Sequence, residues 1–224
     1  MTGAYLFLLG LAGGLALLSI SAYRHVSPAW LRGLLIGTGL FVFSRYVAMA
    51  LFTSPDAPQR FWVLRHCWLA TSLGLTLSSV FAVDQLVRHP AMSAKRLLRW
   101  FAPFLIIYAL VILVGPMTPV SDRFVGGWVP RLSPGWQRLL SVTHSLFVTG
   151  FTGASLLLIR KIPSWPIRLA LGGLVAAHLY LAADGLLLML GRWYFRPYLY
   201  SEMLALLALW NAYETAAALQ QRGT

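Results

Sequence analysis

Charge is what this sequence has least of. Only 11% of its 224 residues are charged, and just 6 of them are Asp or Glu. An ordinary soluble domain carries about 25% charged and about 45–50% apolar residues. A chain that is 58% hydrophobic therefore lacks the polar surface to cover a soluble globule. The same composition excludes a disordered chain and a coiled coil. A single cysteine, Cys67, excludes a disulfide scaffold. Lysine is nearly absent as well, with Lys95 and Lys161 its only instances.

What is present is apolar length and arginine. Mean hydropathy is +0.71, and 18 Lys+Arg stand against the 6 acidic residues, for a formal charge of +12. In a soluble protein that excess would point to nucleic acid. Here the basic residues sit between long apolar runs, so no nucleic-acid partner is expected and the partner is the lipid bilayer. The fold class is an all-α polytopic membrane helix bundle. A helix needs about 20 apolar residues to cross a hydrocarbon core of about 30 Å, and seven stretches qualify: 3–22, 31–53, 62–87, 98–116, 136–159, 167–190 and 197–218. Lipid offers no partners to backbone polar groups, so the spans are helices. Together they make a single seven-helix transmembrane domain with no soluble domain left over. Residues 1–3 carry no basic segment of the kind that opens a cleavable signal peptide.

Orientation follows from the basic residues, which concentrate on the cytoplasmic side. Arg24, Arg32, Arg88, Lys95, Arg96, Arg99, Arg160, Lys161, Arg168 and Arg222 share one side of the predicted bundle. Arg60, Arg65, Arg123, Arg131, Arg138, Arg192 and Arg196 share the other. The richer side is expected to be cytoplasmic, which places the N-terminus outside, the C-terminus inside, and the chain in a bacterial inner (plasma) membrane. The basic rim from Arg88 to Trp100 could bind anionic headgroups, but orientation alone accounts for it. A protein partner could dock on that face. The longest loop, Thr118 to Pro134, then lies outside, and its Pro, Gly and Trp content predicts an ordered flap.

A shift of 136 residues lays the first three spans on the last three, matching Arg24 with Arg160, Arg32 with Arg168, Arg60 with Arg196, Gly14 with Gly150, Ser19 with Ser155 and Gly37 with Gly173. Repeats over 3–88 and 136–222, joined by a linker helix at 98–116, would make a 3+1+3 parallel plan. In transporters such repeats enclose a solute site near mid-membrane. The plan is loosely similar to sugar and vitamin transporters and to opsin-like receptors, an analogy of architecture from which function does not follow. No Pro-Gln loop pair occurs, and no lysine in the last span could hold retinal.

Ionisable residues inside a bilayer are costly and are functional candidates by default. They are Arg45, His66, Asp84, His144, His178, Asp184, Glu202 and Glu214. Arg45, His66, His144, Asp184 and Glu202 fall in the outer half on five different helices, and these five are the candidate binding residues. Arg45 needs a carboxylate, and Glu202 is the preferred partner over Asp184 because the second and seventh helices of a ring can be neighbours. The layer can be a polar cavity open to the outside, or a structural ion pair that sets helix register. Tyr46, Trp68, Tyr180, Tyr198 and Tyr200 lie near it and suit a cavity wall or an interfacial belt equally well. His66 and Asp84 are about five helical turns apart on one face, but Leu73, Leu77 and Val80 between them argue against a proton wire. His178 and Asp184 are about 120° apart, so no tight pair is expected, and His178 reads as a hydrogen-bonded core histidine. Asp84 and Glu214 read as cytoplasmic end pairs, and His25 and His89 as surface residues.

No cofactor is expected on balance. A zinc site would have to be assembled from separate helices, as from His66 and His144 with Asp184 or Glu202, and a b-type haem would need two facing axial ligands such as His66 and His144. Cys67 beside His66 points about 100° away from it and is not a catalytic pair. With no nucleophile elbow and no phosphate loop, an enzyme is the less favoured reading. Gly10/Gly14 and Gly33/Gly37, with Gly172 and Gly173, are expected to serve close helix packing. Three functions remain open: a small-solute transporter or binding protein using the outer-half layer, a haem- or metal-dependent redox subunit, and a receptor or accessory subunit of a larger complex. No catalytic residue is named.

Overall fold

A computed structural model describes residues 2–54, 57–88, 93–122, 125–190 and 198–222. The predicted positions Arg123, Arg192, Arg196 and His89 lie outside them, and so does one half of the Arg60–Arg196 match. Eight α-helices occur among the described residues: α1 (Thr2–Ala22), α2 (Ala29–Leu51), α3 (Ala57–Leu64), α4 (Ala70–Val87), α5 (Ala94–Val114), α6 (Pro134–Lys161), α7 (Trp165–Met189) and α8 (Leu199–Arg222). Six helical stretches are long and apolar enough to cross a membrane: α1, α2, the stretch Gln59–Val87, α5, α6 and α7. The chain is thus an integral membrane protein by length and composition. The helix α8 is not among the six, and it carries Glu202, Asn211 and Glu214. It packs against α1, α4 and α7, which bury Glu202, while Asn211 is exposed and Glu214 half-buried.

The long helices close a ring in which α1, α2, α4, α5, α6, α7 and α8 touch in chain order and α8 returns to α1. The helix α4 is displaced inward and also meets α8, α7 and α6. Nearly all its residues are buried. That placement explains part of its composition: Thr71 donates to Glu202 on α8 and Ser79 meets His178 on α7, while the Thr76 hydroxyl donates back to Ser72 O within α4, at a depth where lipid supplies no partners.

The third span is not one helix. After α3, a 3-10 turn at Arg65–Cys67 and a non-helical Leu69 (φ −102°, ψ 14°) break it before α4 begins. The phase that aligned His66 with Asp84 assumed an unbroken helix, and that alignment does not apply. The helix α3 is amphipathic: Phe61 is buried, while Trp62 and Val63 are exposed and Arg65 stacks on Trp62 at 4.9 Å.

The expected flap is a β-hairpin, the one departure from all-α structure among the described residues. Strands β1 (Met117–Asp122) and β2 (Gly127–Leu132) pair antiparallel from Met117↔Leu132 to Asp122↔Gly127. Gly126 takes φ 67° in the turn, a left-handed conformation that glycine adopts freely. The Trp128 amide donates to Phe52 O at 3.0 Å, and a Cβ on Gly127 would strike that same carbonyl. The hairpin is thereby docked on the end of α2, over an apolar cluster of Phe52, Phe61, Tyr108, Met117, Leu132 and Leu140.

The packing glycines differ from those expected. Gly10, Gly14, Gly33, Gly37 and Gly172 have nothing within 4 Å of a Cβ position, and Gly173 has only Ala208 at 3.9 Å. The close contacts fall at Gly39 against Ile20 and Gly74 against Val42. Sequence spacing identified G-x-x-x-G pairs, but the helix faces that carry them point away from the bundle.

Candidate functional site

Three helix ends converge under the hairpin: the last turns of α2 and the first turns of α4 and α8. Arg45 on α2 and Glu202 on α8 are 5% and 2% exposed. The guanidinium engages the carboxylate through both of its oxygens, Nη2 to Oε1 at 2.9 Å and Nε to Oε2 at 3.2 Å. Such forked pairs are the strongest of the charged hydrogen bonds. Glu202 is further satisfied by the Thr71 hydroxyl, which donates to Oε1 at 2.8 Å, and by the Tyr46 hydroxyl, which donates to Oε2 at 3.3 Å. Trp68 lies against the guanidinium, 5.2 Å from its carbon to the ring centroid. The break in the third span places these groups: it frees Trp68 to turn toward Arg45 and starts α4 at Ala70, so that Thr71 sits in a helical first turn, where the helix dipole favours negative charge.

Asp184 is adjacent and separate. Its Oδ2 accepts from the buried Ser201 hydroxyl at 2.6 Å and from the Tyr198 amide at 3.2 Å. It caps α8 from across the α7–α8 interface, binding groups that a helix start leaves without intrahelical partners. Tyr198 holds φ 71° at this junction. Glu202 and Asp184 therefore have different tasks, one as counter-ion and one as cap.

The histidines do not join this layer. His66 Nδ1 meets the Ile112 carbonyl at 2.9 Å. His144 Nδ1 lies 3.2 Å from the Tyr108 hydroxyl, and the ring beside it is His178, at a centroid distance of 6.4 Å. His178 is 1% exposed, and its Nε2 lies 2.8 Å from Ser79 Oγ. Phe147 and Phe151 pack against it, with centroids at 5.3 and 4.9 Å.

Of the five predicted residues, then, the structure brings Arg45 and Glu202 together, sets Asp184 one residue along at Ser201, and sends His66 and His144 to other partners. Tyr46, Trp68 and Tyr198 belong to the layer, whereas Tyr200 is 39% exposed. Spacing alone did not reveal Thr71, Ser79, Tyr108 or Ser201. The signal for the first two was available in the five hydroxyl residues of the eighteen-residue α4. At the opposite end Asp84 Oδ2 accepts from Gln85 Nε2 at 3.2 Å. Among the described residues no group of three or more His, Cys, Asp or Glu could hold a metal ion. In sequence the chain matches no protein-family model and no curated protein.

Proposed function

We propose that this integral membrane protein binds or carries a small solute at the hairpin end of the bundle, with Arg45–Glu202 as its polar centre. The observation that carries the reading is a doubly bonded, nearly water-free ion pair placed where a membrane-spanning helix is broken. Discontinuous helices whose ends meet buried charge are how transporters build solute sites in a bilayer. A solute carboxylate or phosphate would compete with Glu202 for Arg45, while Tyr46 and Thr71 could donate to it in place of the carboxylate. Asp184, as the cap of α8, would hold the helix that carries Glu202. The hairpin end is the outer one in this proposal, because Arg24, Arg32, Lys95, Arg96, Arg99, Arg160, Lys161 and Arg168 cluster toward the other.

A second reading is favoured by one feature of the same geometry. Glu202 already accepts four hydrogen bonds from three side chains, the number its two oxygens can take. A carboxylate so saturated can serve solely to lock α2, α4 and α8, as expected of a receptor or accessory subunit. Thermal-shift screening of the purified protein against small carboxylates and inorganic phosphate separates the two. The solute reading expects stabilisation by one of them, lost in Arg45→Gln and altered in Glu202→Gln while both variants remain folded. Variants that fail to fold, together with a wild type that responds to none of these anions, establish the structural reading.

A further inference from the structure

The strongest feature left unused is the histidine pair inside the bundle, which is independent of the solute reading. His144 on α6 and His178 on α7 approach from two helices, and each has one ring nitrogen engaged by a hydroxyl, Tyr108 for the first and Ser79 for the second. This leaves Nε2 of His144 and Nδ1 of His178. The latter is buried and has no hydrogen-bond partner. A buried polar atom without a partner costs free energy comparable to a lost hydrogen bond, and here it belongs to a residue that is 1% exposed in the interior of a membrane protein. The hydroxyls supply what a metal-ligating histidine ordinarily has, a second partner that fixes the tautomer and the ring orientation. With Nε2–H of His178 donating to Ser79 and Nδ1–H of His144 donating to Tyr108, the two remaining nitrogens carry lone pairs.

The spacing suits one ion between two rings. Centroids 6.4 Å apart would leave about 4 Å between the two free nitrogens once the rings turn them toward one another, which is the reach of two metal–nitrogen bonds of about 2.0–2.1 Å. The three or four ligands of a zinc site are not assembled among the described residues. Two neutral imidazoles in an apolar, phenylalanine-lined surrounding instead suit a cation of low charge that accepts linear two-fold coordination. Imidazole is a good ligand for copper, and cuprous copper meets both conditions. The single positive charge would have a counter-charge on the same helix. Asp184, whose hydrogen-bond donors are a neutral hydroxyl and an amide, lies six residues from His178, about 9 Å of helix rise.

We propose that His144 and His178 form a two-coordinate cuprous site within the membrane, oriented by Tyr108 and Ser79. Binding is simple coordination, with copper supplied already reduced and no change in its oxidation state. The test is an anaerobic titration of the purified full chain with Cu(I) against the chromophoric chelator bicinchoninate, followed by X-ray absorption of the loaded protein. The expected result is one Cu(I) per chain withdrawn from the chelator, with nitrogen scatterers and no sulfur. His144→Phe and His178→Phe should each abolish the withdrawal, His66→Phe should leave it unchanged, and Tyr108→Phe should weaken affinity about 10–100-fold, as loss of an orienting partner does. A wild type that takes no copper from the chelator overturns the proposal. So does sulfur in the absorption spectrum, which would assign the ion to Cys67 or methionine, and so does a folded His178→Phe that binds like wild type. The absorption measurement needs only the wild-type chain, so it decides the matter even if the phenylalanine variants do not fold.

Discussion

The two buried polar clusters obey opposite rules. Around Glu202 both charges are paired and four donors reach one carboxylate. Around His178 the groups are uncharged donors and acceptors, the walls are phenylalanine, and one nitrogen has no partner. The contrast follows from cost. A full charge out of water is tolerable only with a counter-charge and filled hydrogen-bond positions, so the Arg45 layer had to be completed within the chain. An unpaired imidazole nitrogen costs about 1–3 kcal/mol, which a bundle of this size can carry. The first cluster closes its charges within the chain, and the second leaves one nitrogen without a partner.

The largest expected effect breaks the first cluster. Arg45→Ala or Glu202→Ala should destabilise the protein by about 3–5 kcal/mol, since either leaves a buried charge without its partner. Denaturant titration in detergent, or the folded fraction extracted from membranes, measures it. Replacing both at once with Met and Leu should cost clearly less than the two single changes together, because no lone charge remains. Additive costs would show that the pair is not coupled as its geometry states. Next in size is Asp184→Ala, which leaves the Tyr198 amide without an acceptor and Ser201 with only the Tyr198 carbonyl at 3.1 Å, and should cost about 1–3 kcal/mol. Hydrogen exchange should then rise selectively at the start of α8. Gly74→Ala belongs in the same range, about 1–3 kcal/mol for a Cβ forced against Val42, whereas Gly10→Ala should stay within about 0.5 kcal/mol. Comparing the two in one melting series checks which glycines pack. The smallest effect sharpens the contrast from the other side: His178→Phe in metal-free protein should change stability by less than about 1.5 kcal/mol, because it removes a hydrogen bond with Ser79 and an unpaired nitrogen together. A loss as large as that of Arg45→Ala would erase the distinction between the clusters.

Much of the architecture was legible in one dimension. The predicted spans 3–22, 31–53, 98–116, 136–159 and 167–190 fall on α1, α2, α5, α6 and α7 within a few residues, because apolar length reports directly on bilayer thickness. The seventh, 197–218, falls on the helix α8, which is not among the six apolar enough to cross. The ordered character of the Thr118–Pro134 loop was legible from its turn and aromatic residues. The Arg45–Glu202 pairing was legible from depth and ring order. The break at residues 65–69 was not, since no proline or glycine interrupts Arg65-His66-Cys67-Trp68-Leu69 and the departure from helix depends on what Trp68 packs against. The pairing of His144 with His178 was missed for a different reason. Depth along the chain matches His144 with His66, and only the packing of α6 on α7 shows that the ring beside His144 is His178.

By itself, then, the sequence determined that the chain lives in a bilayer, where its helices run, and that a buried arginine must find an acid, for each of these depends on composition and spacing along the chain. Only the tertiary structure decided that Asp184 caps α8, that hydroxyls of α4 reach both α7 and α8, and that one histidine nitrogen is left over. Those outcomes depend on which helix faces meet, and a face is defined by rotation about axes that residue order alone leaves open.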